Sequence, residues 1–125
     1  MNTEDLARCC AGYALDKKAF NIRLLYVGAT SSLTDYILIA SCGSDRQVQA
    51  VAEAIRLGMK DEQNEPPIAV EGMTEGRWVL LDFGNIMVHI FQQPVREFYD
   101  LDGLWVDAPE LELPQEKQEP TRKES

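Results

Sequence analysis

The chain has 125 residues, the length of one domain, and its 45% apolar and 26% charged content is close to average soluble usage, enough for a buried core. Twenty-one acidic against twelve basic residues leave a formal charge of −9; this is the wrong sign for gripping phosphates, so no direct sequence-specific nucleic-acid binding is expected. No apolar run approaches the roughly 20 residues of a membrane span, and Met1 to Phe20 interleave charges with apolar positions unlike a signal peptide. A cytoplasmic protein without a membrane partner is expected.

Thr3 is placed to cap a first helix, with Glu4 and Asp5 favourable to its dipole, and Leu6, Cys9 or Cys10, Tyr13 and Ala14 continue at helical spacing to about Lys18. Ile22 to Val27 reads as a strand closed by Gly28. Asp35 to Ser41 is apolar on both parities, as suits a central strand covered on both faces. Ser44 followed by Gln47 forms a capping box. Val48, Val51, Ala52, Ile55 and Met59 then make one apolar stripe of a long helix, which Asn64 to Pro67 ends.

Ile68 to Glu71 reads as a short strand and Gly72 to Gly76 as a connector. Arg77 to Phe83 and Ile86 to Phe91 are apolar runs separated by Gly84-Asn85, the mark of a two-residue hairpin with glycine first. Pro94 starts a short helix over Val95 to Tyr99. From Glu110 to Ser125 there are no aromatics, two prolines, five acids and three bases, a composition that predicts a charged, disordered tail. The expected fold is therefore a single α/β (α+β) domain over residues 1–109. Its mixed five-stranded sheet is flanked by helices, and Asp35 to Glu71 forms a right-handed parallel crossover.

Cys9, Cys10 and Cys42 are an odd set without CxxC spacing, so reduced thiols are expected rather than disulfides or a zinc site. The turn Ser41-Cys42-Gly43-Ser44 lies before a helix N-terminus, where free amides can hold phosphate. With Asp35 and Asp82 as imagined metal ligands it sketches a nucleotide-binding or nucleotidyltransferase-like enzyme. That alternative is weak: there is no Asp-x-Asp pair, no Walker lysine and no GxGxxG. Gly43 making a turn and Ser44 capping a helix is the simpler reading. His89, the only histidine, lies between Val88 and Ile90 without triad or zincin spacing, and reads as structural.

The segment after Pro94 differs. Phe98, Tyr99, Leu101, Leu104 and Trp105 alternate with acids, and Glu97 to Glu112 holds six acids and no base. Such aromatics either anchor a partner or dock on the chain's own core. Trp78 poses the same question, because one face of its hairpin lacks an evident helix to cover it.

Read in order, these segments resemble the ribosomal silencing factor family, RsfS or Iojap. The resemblance rests on Leu15-Asp16-Lys17-Lys18-Ala19, Ser31-Ser32-Leu33-Thr34-Asp35-Tyr36 and Ser44-Asp45-Arg46-Gln47-Val48. It continues through Val70-Glu71-Gly72, Trp78 to Gly84, Val88-His89-Ile90-Phe91, Val95 to Leu101, Leu104-Trp105 and Asp107-Ala108. It covers about Leu6 to Pro109 and departs at Ser41 to Ser44, where members usually carry glycine directly after the first serine.

The resemblance implies a nucleotidyltransferase-like fold without catalytic carboxylates, hence no enzyme and no cofactor. It also implies a homodimer, and binding to the large ribosomal subunit through its ribosomal protein uL14. Bound there, such a factor blocks joining with the small subunit and represses translation under nutrient limitation. An acidic, aromatic-bearing surface is complementary to a basic ribosomal protein. The expected partner-binding residues are Trp78, Leu80 and Asp82, which share a strand face by alternation, with Tyr99, Leu104 and Trp105 from the family match and composition. His89 and Phe91 are assigned to the core.

Overall fold

The computed structural model describes residues 1–114. The first helix, α1 (Thr3–Asp16), is capped one residue earlier than expected, because Asn2 Oδ1 accepts the Asp5 N–H at 2.8 Å and Thr3 is already helical. Its inner face is Ala7, Cys10, Ala11 and Ala14, side chains small enough for α1 to lie close against its neighbours. The second helix, α2 (Asp45–Gln63), buries the predicted stripe of Val48, Val51, Ala52, Ile55 and Met59. It ends at Asn64 in the left-handed region, just ahead of Pro66 and Pro67. The two helices meet where the Tyr13 ring lies over Gly58, where an added Cβ would come within 2.5 Å of the ring.

The strands are β1 (Phe20–Tyr26), β2 (Tyr36–Cys42), β3 (Ala69–Glu71), β4 (Trp78–Asp82), β5 (Ile86–Gln92) and β6 (Glu110–Leu111). Among the described residues they form one mixed sheet in the order β3-β4-β5-β2-β1-β6, in which only β2 and β5 pair parallel. β2 and β3 run in the same direction, as the crossover reading requires, with β5 and β4 between them. The β4–β5 hairpin turns at Gly84, whose φ of +87° is open to glycine at little cost. β1 carries a bulge between Phe20 and Arg23, with Asn21 at φ +51°.

The sheet has six strands where five were expected. Glu110 and Leu111 pair with Leu25 and Leu24 of β1, and Tyr26 N–H donates to the Pro109 carbonyl at 2.9 Å. Leu111 and Leu113 pack on the main core, so the ordered domain extends past residue 109. The remainder of the expected charged tail, residues 115–125, lies outside the described residues.

Helices α1 and α2 cover one face of the sheet over Leu24, Leu38, Ala40, Val79, Leu81, Val88 and Ile90. The other face is covered only in part. There α3 (Gln93–Tyr99) and a 3-10 turn (Leu101–Trp105) lie over a second, smaller core of Leu25, Val27, Ile37, Ile39 and Phe91. Beyond it, the outward side chains of β4 and β5 are only half-buried. All three cysteines are free; Cys10 and Cys42 are buried.

Candidate functional site

Helix α2 begins in the turn that suggested a phosphate site, and two amides of that turn already have side-chain partners. Ser44 Oγ accepts the Gln47 N–H at 3.1 Å, and Gln47 Oε1 accepts the Gly43 N–H at 2.8 Å. The capping box thus closes one residue further out than the standard form, on Gly43 instead of Ser44. The Gln47 amide donates to the carbonyls of Lys17 and Lys18, tying the turn to the end of α1. Asp82 Oδ1 accepts the Gly84 N–H at 2.8 Å and serves the hairpin turn. Gly43, Ser44 and Asp82 therefore each have a local structural role.

The incompletely covered face of β4 and β5 is different in kind. Alternation along β4 places Trp78, Leu80 and Asp82 outward, each half-buried, while Val79 and Leu81 point into the main core. The register sets Trp78 opposite Phe91, Leu80 opposite His89 and Asp82 opposite Met87. Trp78 stacks on the fully buried Phe91, with centroids 4.7 Å apart and ring planes 30° apart. Its indole Nε1–H donates to His89 Nδ1 at 3.1 Å. Burial pushes the His89 imidazole well down, to about 4, so it is a neutral acceptor at neutral pH.

Helix α3 extends this platform. Tyr99 lies 5.0 Å from the Trp78 ring, and Phe98 packs edge-on against Tyr99, also at 5.0 Å. Phe98 is 80% and Tyr99 56% exposed, a heavy apolar load to leave in water on a helix of two turns. With Pro94, Val95, Glu75 and Arg77 these rings line an open groove of about 520 Å3. Gly72 presses on the Trp78 backbone: at φ +87° an added Cβ would stand 2.1 Å from the Trp78 carbonyl oxygen.

Of the six residues expected to meet a partner, Trp78, Leu80, Asp82 and Tyr99 share this region. Leu104 and Trp105 occupy the 3-10 turn instead. Trp105 is half-buried against the second core and also lines, with Leu104, a groove of its own. Leu104 is 71% exposed, on the rim of that groove with Tyr26, Ala29 and Thr30. Phe98 and His89 are members of the platform that alternation along β4 alone did not reveal.

Comparison with known proteins gives this arrangement its context. The profile of the family described as "Ribosomal silencing factor during starvation" matches residues 1–125. The chain belongs to the ribosomal silencing factor family. A ribosomal silencing factor RsfS of Bacillus subtilis is 40% identical over 116 residues, covering 90% of this chain and 95% of that one. A chloroplastic protein Iojap of Arabidopsis thaliana is 33% identical, covering 90% of this chain and 46% of that one. A crystal structure of a Chromobacterium violaceum protein superposes with a TM-score of 0.82 at 27% identity, covering both chains fully. The silencing-factor relatives are named for an action on the ribosome.

Proposed function

We propose that this protein is a cytoplasmic translational repressor that binds the large ribosomal subunit through ribosomal protein uL14 and blocks joining with the small subunit. The observation that carries this reading is the platform of half-buried Trp78 with exposed Tyr99 and Phe98, on a chain of net charge −9 that belongs to the ribosomal silencing factor family. Aromatic rings of this kind commonly supply the anchoring energy of protein interfaces. A surplus of acid steers the surface toward a basic ribosomal protein and away from bare RNA phosphates.

In this reading Trp78 and Tyr99 are the anchors and Leu80 widens the apolar contact. Asp82 shapes the hairpin end beside them, and Leu104 lies at a second, peripheral contact. Trp105 flanks Leu104 on the same groove and belongs to the second contact with it. A homodimer of the free protein belongs to the same proposal. The test is a reassociation assay: purified protein is added to separated large and small subunits, and the formation of joined ribosomes is followed by light scattering. Joining should fall with added protein and recover with excess free uL14. Undiminished joining at saturating protein overturns the reading.

A further inference from the structure

The Trp78–His89 hydrogen bond constrains more than the indole. Because Nδ1 accepts from the indole, the imidazole proton must reside on Nε2, since a neutral ring carries only one. Nε2 makes no hydrogen bond among the described residues and is not one of their fully buried unpartnered atoms, on a residue that is half-buried. Directly opposite His89 across the sheet stand Leu80 on β4 and Ile39 on β2, and its ring lies nearly parallel to Phe91 at 6.2 Å. These direct neighbours are apolar; the carboxylates that share the face, Asp82 diagonally on β4 and Glu71 beyond Leu80 on β3, make no hydrogen bond to Nε2 among the described residues.

We propose that His89 is a specificity-determining residue of the docking face, presenting its Nε2–H to an uncharged acceptor, a backbone carbonyl of the partner polypeptide, while its Nδ1 holds Trp78 in place. The inference rests on the docking reading above and adds a polar determinant to it. A single donor fixed within an apolar patch has a physical consequence. A partner that supplies an acceptor there satisfies it, and one that does not leaves a polar group desolvated and unpaired. The ring is neutral because burial depresses its proton affinity, so it can be covered without burying a charge. A phosphate is the less suited acceptor on a chain of charge −9.

Two isosteres separate the two roles of the ring. Asparagine at this position offers an acceptor where Nδ1 was and nothing where Nε2 was; glutamine reaches the Nε2 position with an N–H and leaves the indole without its acceptor. Binding of isolated large subunits is measured for wild type, His89→Asn, His89→Gln, His89→Phe and Trp78→Ala. The Trp78 indole N–H resonance and the His89 tautomer are read by 15N NMR in the free proteins.

The expected result is an Nε2–H tautomer in the wild type. His89→Asn should keep the indole resonance near its wild-type position and bind roughly tenfold more weakly, the worth of about one hydrogen bond. His89→Gln should shift the indole resonance yet bind more tightly than His89→Asn, and His89→Phe should be weakest. An Nδ1–H tautomer, or His89→Asn binding as tightly as wild type while Trp78→Ala is impaired, overturns the role of His89 alone. If Trp78→Ala also binds as wild type, the docking face itself is wrong and the inference falls with it.

Discussion

The guanidinium of Arg96, 7% exposed, grips the carboxylate of Asp102 with two parallel hydrogen bonds, Nε to Oδ1 at 3.0 Å and Nη2 to Oδ2 at 2.8 Å. Nη1 of the same group donates to Ser41 Oγ at 2.8 Å and to the Asn21 carbonyl. Arg23 reaches both Asp102 and Glu110 at 3.1 Å. This network joins α3 and the 3-10 turn to β1, β2 and β6, and so fixes how α3 lies on the sheet and where Phe98 and Tyr99 are presented.

Removing Asp102 leaves a buried cation without its fork partner. Asp102→Ala should cost about 3 kcal/mol in urea unfolding, more than Asp102→Asn, which keeps one acceptor oxygen. The Arg96 guanidinium, helped by Arg23, holds the Asp102 carboxyl down at about 2. Its folded value is below its unfolded one, so its contribution is present above pH 4 and is lost as the pH falls through about 2. A variant as stable as wild type would mean the network does not hold the segment.

Trp105 and Leu104 are adjacent and should behave oppositely. Trp105 packs half-buried on the second core, so Trp105→Ala should lower stability by about 3 kcal/mol. Leu104→Ala removes an exposed side chain and should stay within about 0.5 kcal/mol. Thermal unfolding of the two variants side by side checks this; equal melting temperatures would remove Trp105 from the core.

Gly72 lies in a conformation that suits glycine, pressed against the backbone of Trp78. Gly72→Ala combines an unfavourable φ with a clash on a carbonyl oxygen, which cannot move without displacing β4. A cost of about 2 kcal/mol or more is expected, together with a shift in Trp78 fluorescence. An alanine variant with wild-type stability and fluorescence would show that the close approach does not hold Trp78.

His89 gives the protein an acid-sensitive element of predictable sign. Burial lowers its imidazole from its ordinary 6.5 to about 4, so the unfolded chain takes up a proton that the folded one refuses. Stability should be full above pH 6.5, decline as the pH falls toward 4, and lose roughly 2–3 kcal/mol across that window. Comparing pH–stability curves of wild type and His89→Phe isolates this contribution from the carboxylates. Parallel curves between pH 6.5 and 4 would contradict it.

Much of the platform is legible in the sequence, because a two-residue loop at Gly84-Asn85 fixes arithmetic as well as topology. It sets residues 78, 80 and 82 opposite 91, 89 and 87, so counting alone moves His89 from the core to the Trp78 face. The stripe of α2 and the central place of β2 were equally readable, since both are local patterns. What escaped depends on distant partners. Glu110 and Leu111 make a strand only because β1 offers its free edge, Arg23 meets Glu110 and Leu111 finds the core. Trp105 turns inward because the second core stands beneath it, which its acidic, aromatic surroundings do not disclose. Asn2 in place of Thr3 at the start of α1 is a choice between two capable caps that composition does not decide.

The central claim is that the Trp78 platform docks on the large ribosomal subunit. Its most direct test is sucrose-gradient sedimentation of wild-type and Trp78→Ala protein with isolated large and small subunits at near-physiological salt. The wild type should travel with the large subunit alone, and Trp78→Ala, shown to be folded, should remain near the top, having lost about 2 kcal/mol or more of binding. Co-migration of the folded variant at wild-type levels, or wild-type protein that travels with neither subunit, would contradict the claim.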